Sequence, residues 1–61
     1  MSQELIRKLT QSVIQKLGKE GCEYVVKFGE LPAIQLTDEE MGFIKGGGLH
    51  TIISTLNDKN T

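Results

Sequence analysis

The sequence predicts a small α+β domain: a helix, a short β-hairpin, a short helix and a flexible glycine-linked tail. Three observations predict it. Apolar residues recur at helical spacing between Leu5 and Leu17, aromatic and β-branched residues crowd the stretch from Tyr24 to Phe28, and Thr37 and Glu40 carry the spacing of a helix start. An all-helical arrangement is the alternative.

The first helix opens at Ser2, a good N-cap residue. Leu5, Ile6, Leu9, Val13, Ile14 and Leu17 then fall on one face, while Arg7, Lys8 and Lys16 lie off it as solvated charges. Gly18 and Gly21 read as stop signals. In the next segment, strand alternation puts Tyr24, Val26 and Phe28 on one side. Gly29-Glu30 offers a turn, and residues 31–36 form a second short strand with Ile34 and Leu36 facing inward. Pro32 confines that strand to an edge. An isolated hairpin is marginal in water, so this one has to pack on the first helix.

The second helix begins with a capping box, in which Thr37 and Glu40 each satisfy a backbone N–H near the other. Leu36 and Met41 sit where a hydrophobic staple closes across that cap. Asp38 and Glu39 suit the positive end of the helix dipole and Lys45 the negative end. Gly46, Gly47 and Gly48 end the helix. In the tail, Leu49, Ile52, Ile53 and Leu56 again show helical spacing, and residues 57–61 are polar and expected to fray.

Composition narrows the function classes. A chain of 61 residues holds one compact domain at most. Chains of this size bury only about 60% of the surface their unfolded form exposes, which leaves little margin for a water-excluding catalytic pocket. With one histidine, one cysteine and no tryptophan, the sequence points away from an enzyme. The formal net charge of −1 gives no basic footprint for nucleic acid. No apolar stretch approaches the ~20 residues that cross a bilayer, so no stable membrane insertion is expected. The N-terminal Met1-Ser2-Gln3-Glu4 lacks the basic start and apolar run of a secretory signal, and a lone cysteine fits a reducing compartment. Both place the chain in the cytoplasm.

The stretch from Leu36 to Gly47 resembles the end of a double-glycine leader, found in precursors of bacteriocins, secreted signalling peptides and ribosomally made, enzymatically modified peptides. That pattern reads Leu-Ser-x-x-Glu-Leu-x-x-Ile-x-Gly-Gly. The matching residues here are Leu36, Thr37, Glu40, Met41, Ile44, Gly46 and Gly47, with Thr for Ser and Met for Leu. The register selects one glycine pair. Taking Gly47-Gly48 instead would put Lys45, Gly42 and Thr37 where apolar residues belong.

The resemblance implies that residues 1–47 are leader and docking module and residues 48–61 the product. The implied partner is a peptidase-containing ABC transporter, with room for a peptide-modifying enzyme. Its papain-like domain would take Leu36, Met41 and Ile44 into an apolar groove. The glycines would thread a channel that admits no side chain, and the chain would be cut after Gly47. The precursor would be cytoplasmic and the released peptide exported. Thr51, Ser54 and Thr55, with Asp58 and Lys59, are candidate modification sites for ester or amide crosslinks, because the product has no cysteine for thioether rings. The leader is long for a simple bacteriocin, and the extra length would serve docking.

Generic helix grammar satisfies much of this pattern, so a non-enzymatic regulatory or inhibitory protein-binding module is the alternative function. The two readings part over residues 48–61. A leader predicts an accessible hinge at Gly46–Gly48 and a tail outside the core. A regulatory module predicts a permanent C-terminal helix packed on the first.

Other chemistry is sparse. His50 has no carboxylate at helical spacing, and with Cys22 it falls short of the three or four ligands a metal site needs; no metal or cofactor is expected. Cys22 reads as a small, partly buried hydrophobe. The glycine run lacks the downstream Lys-Ser/Thr of a phosphate loop.

Overall fold

The computed structural model describes residues 2–59. Helix α1 spans Gln3–Phe28, α2 spans Asp38–Phe43, a π-helical turn covers Ile44–Gly48, and α3 spans Leu49–Lys59. Among the described residues there is no strand, so the α+β expectation with its hairpin is overturned and the all-helical alternative holds.

Ser2 starts α1 as expected, its Oγ accepting from the Leu5 N–H at 3.2 Å. The helix does not stop at Gly18. There the backbone takes φ 68° and ψ −177°, a region essentially reserved for glycine, and the chain then resumes helical geometry. The result is one helix with two arms, residues 3–17 and 19–28. The second arm is the segment that reads as a strand. Its aromatic and β-branched residues favour strands only where a pleated neighbour receives them, and residues 30–37 supply none. The helical period then decides which side chains turn inward. Val25 is fully buried, whereas Tyr24, Val26 and Phe28, the set that strand alternation puts on one side, are all exposed. Gly29 closes the helix by donating its N–H to the Val25 carbonyl at 2.8 Å.

Residues 30–37 return the chain along α1, with Leu31, Ile34 and Leu36 packed against the core. The core itself draws Leu9, Val13, Leu17 and Val25 from α1, Phe43 from α2, and Ile52 and Leu56 from α3. Val13, Val25 and Ile52 are fully enclosed. The expected flexible tail is therefore also corrected. Ile52 and Leu56 lie one helical turn apart on one face of α3, and the apolar stripe of α1 is where that face is removed from water. Residues 57–59, expected to fray, continue α3; residues 60 and 61 lie outside the described part.

Candidate functional site

The motif segment forms the short α2 and the glycine junction behind it. The capping box is fully made: the Glu40 N–H donates to Thr37 Oγ1 at 3.2 Å, and the Thr37 N–H donates to Glu40 Oε1 at 2.9 Å. With Asp38, Glu39 and Glu40 in its first turn, α2 has its N-terminus matched to the helix dipole.

Glu40 does more than cap. The residue is 2% exposed, and its carboxylate reaches across to α1. Lys16 Nζ donates to Oε1 as an ion pair, and Ser12 Oγ donates to Oε2 at 2.6 Å. Three donors thus converge on one enclosed carboxylate, which satisfies it fully. The Lys16 ammonium first, then the Ser12 hydroxyl and the Thr37 amide, hold the Glu40 carboxyl down at about 2, from 4.5, against the opposing effect of burial. Sequence reasoning missed Lys16 and Ser12, because these partners lie 24 and 28 residues away along the chain and Lys16 reads as an ordinary solvated charge.

The leader-type residues are distributed unevenly. Leu36 and Ile44 are half-buried against the core, while Met41 is 43% exposed and presents its side chain outward. Phe43, between them, is buried and was not singled out from sequence. At the junction, Gly46 and Gly47 are exposed, and a Cβ built on either meets nothing within 4 Å. Gly47 has φ 101°, which breaks the helical path between the π turn and α3. Gly48 differs. It is buried, and a Cβ there would come within 2.6 Å of the Phe43 carbonyl oxygen and 2.7 Å of its ring. A shallow depression of about 330 Å³ lies over this junction, lined by the three glycines with Ile6, Phe43 and Thr51.

On α3, Ser54 and Asp58 are exposed and Thr51 and Thr55 half-buried, the Thr55 hydroxyl donating to the Thr51 carbonyl at 2.8 Å. The Lys59 side chain lies outside the described part. His50 is exposed; Cys22 is a half-buried free thiol whose Sγ donates weakly to the Ile14 carbonyl at 3.9 Å. Among the described residues no cluster of His, Cys, Asp and Glu is placed to hold a metal, and no helix is long and apolar enough to cross a membrane.

A second feature lies away from the motif. An apolar groove of about 590 Å³ runs between Ile14, Cys22, Val26 and Leu56, rimmed by Lys19, Glu23 and Lys27. Near it, the exposed Tyr24 and Phe28 rings pair at 4.7 Å, with Lys27 Nζ 5.4 Å from the Phe28 centroid.

Comparison with protein-family models, curated proteins and solved structures finds no match.

Proposed function

We propose that the chain is a precursor peptide, with residues 1–47 as leader and docking module and residues 48–61 as the product released by cleavage after Gly47. The observation that carries this reading is the coincidence of register and backbone. The pair that puts Leu36, Met41 and Ile44 in phase, Gly46-Gly47, is also the exposed pair at which the helical path breaks. A peptidase that tolerates no Cβ at these positions finds here two residues with none. The partner is a peptidase-containing ABC transporter that receives α2 in an apolar groove; a peptide-modifying enzyme acting on Thr51, Ser54 or Thr55 is a second one. Mass spectrometry of cells and medium from the native host tests the reading. A secreted fragment starting at Gly48 is the expected result, and abundant intact chain with no such fragment would overturn it. Loss of water from that fragment would reveal the crosslinks.

A second reading has an observation of its own. Ile52 and Leu56 are buried in the core, against the leader's expectation of a tail outside it and as a permanent C-terminal helix requires. In that reading the chain is a non-enzymatic regulatory or inhibitory module, and the glycines only redirect the backbone.

A further inference from the structure

We propose that α3 is an autoinhibitory latch: packed on α1, it holds the Gly47–Gly48 bond in a closed form that a leader peptidase cannot use until α3 lifts. This inference rests on the precursor reading.

Cysteine-protease hydrolysis at this bond places the Gly47 carbonyl carbon on the attacking thiolate. The Gly48 nitrogen leaves as an amine with the proton it gains, and water then frees the Gly47 carboxylate. Attack requires the chain to lie extended through a narrow channel on both sides of the bond. Here neither side is extended. Ile44–Gly48 is wound as a helical turn, and Leu49 opens α3 directly after it. Gly47 is exposed, but Gly48 is seated on the Phe43 carbonyl and ring, closely enough that not even a methyl group fits between. Drawing the bond into a channel therefore pulls Gly48 off Phe43, and with it the first turn of α3. That turn is held by Ile52, and the next by Leu56, in the core.

The recognition residues are held by the same packing. A groove-bound helix must offer Leu36, Met41 and Ile44 together, yet Leu36 and Ile44 already lie against the chain's own core. The Glu40 carboxylate ties α2 to α1 through Lys16 and Ser12. The closed form thus withholds both the docking face and the scissile bond, while Met41 stays exposed as a first point of contact.

The test uses a glycyl endopeptidase, a papain-like enzyme that cleaves after glycine, on the intact folded chain. Rates of cutting after Gly29 and after Gly46–Gly48 are followed by mass spectrometry. Each is divided by the rate on an unstructured synthetic peptide of the same local sequence. The exposed Gly29, at the end of α1, is the internal reference. The latch predicts normalised cutting at Gly46–Gly48 at least about tenfold slower than at Gly29, because cleavage must wait for local opening. Gly48→Ala, which cannot seat on Phe43, should raise cutting at the junction at least about threefold while leaving Gly29 unchanged. Ile52→Ser should act in the same direction, or raise both sites together if the whole chain opens. Equal normalised rates at the two sites in the wild type would overturn the latch, whether or not either variant folds. The host-cell fragment decides the precursor reading separately: a fragment starting at Gly48 with an unprotected junction refutes only the latch, whereas a protected junction without a fragment refutes the precursor reading and leaves the closed junction with no cleavage to inhibit.

Discussion

Shortening Ile52 by one methylene measures how much of the fold depends on α3. Ile52 is fully enclosed and shares the core with Leu9, Val13 and Leu17 of α1. Ile52→Val forfeits the transfer of one CH₂, about 0.8 kcal/mol, and adds a cavity cost because a small core relaxes only in part. Together these give a loss of about 1–1.5 kcal/mol. Cores of this size rarely supply more than roughly 3–5 kcal/mol, so the variant should surrender about a fifth or more of the total. In thermal unfolding followed by far-UV circular dichroism, that is a fall in Tm of about 4–8 °C per kcal/mol. Ile52→Ala, at about 2–5 kcal/mol, should remove at least about two-fifths of that total and lower the Tm well beyond the valine variant. Ser54→Ala on the exposed face of the same helix is the control and should stay within about 0.5 kcal/mol of the parent. If Ile52→Val and Ile52→Ala both match that control, α3 is not part of the core, and the latch and the permanent-helix reading fall together.

Three further outcomes follow from named contacts. The folded Glu40 carboxyl sits at about 2 instead of 4.5, so the unfolded chain takes up its proton first on acidification. The stabilisation from this group is complete above about 4.5 and is lost as pH falls from there towards about 2. A pH series of unfolding midpoints for wild type and Glu40→Gln should show their difference shrinking across that window; a constant difference would contradict it. Thr37→Ala removes the oxygen that accepts from the Glu40 amide and should cost about 1 kcal/mol in urea unfolding, whereas no shift of the midpoint would mean the capping box is not formed in solution. Gly18→Ala forces a Cβ onto a backbone at φ 68° and ψ −177° and should cost about 1–3 kcal/mol; a stabilised variant would mean that α1 runs straight.

What was legible in the sequence was local. The stripe of α1 from Leu5 to Leu17, the Thr37–Glu40 box and the helical spacing of Leu49, Ile52, Ile53 and Leu56 all depend on neighbours within a turn or two, and helices answer to such neighbours. The error at residues 19–28 has a specific origin. Gly18 is both a helix breaker and the residue able to kink a helix without ending it, and nothing nearby distinguishes these uses. Taking it as a stop freed Tyr24–Phe28 to be read by β-propensity, which reports packing context more than backbone preference. The Lys16–Glu40 pair was illegible for another reason: the return path that brings α2 onto α1 is set by where Leu31, Ile34 and Leu36 find apolar cover, not by any short-range signal. Phe43 could have been found, as the one aromatic residue between Leu36 and the glycine run, where it supports Gly48.

The buried α3 and the double-glycine register make opposite demands only if the fold is rigid, and a chain of this size is not. If the entire core contributes roughly 3–5 kcal/mol, opening α3 cannot cost more than that. At about 1.4 kcal/mol per decade, the open form is populated at no less than about one part in a few thousand. A latch of this strength delays cleavage and cannot prevent it. A groove that captures the exposed Met41 first, and then takes Leu36 and Ile44 from the core, replaces the apolar cover those side chains lose with its own. The energy to open the junction then comes from the same contacts that identify the substrate. A peptidase without such a groove would gain nothing from Met41 and would meet the junction closed. On the precursor reading, selectivity for the proposed transporter peptidase follows from where three apolar side chains sit, and Met41→Glu should remove it by slowing cleavage by that peptidase while leaving the rate of the glycyl endopeptidase unchanged.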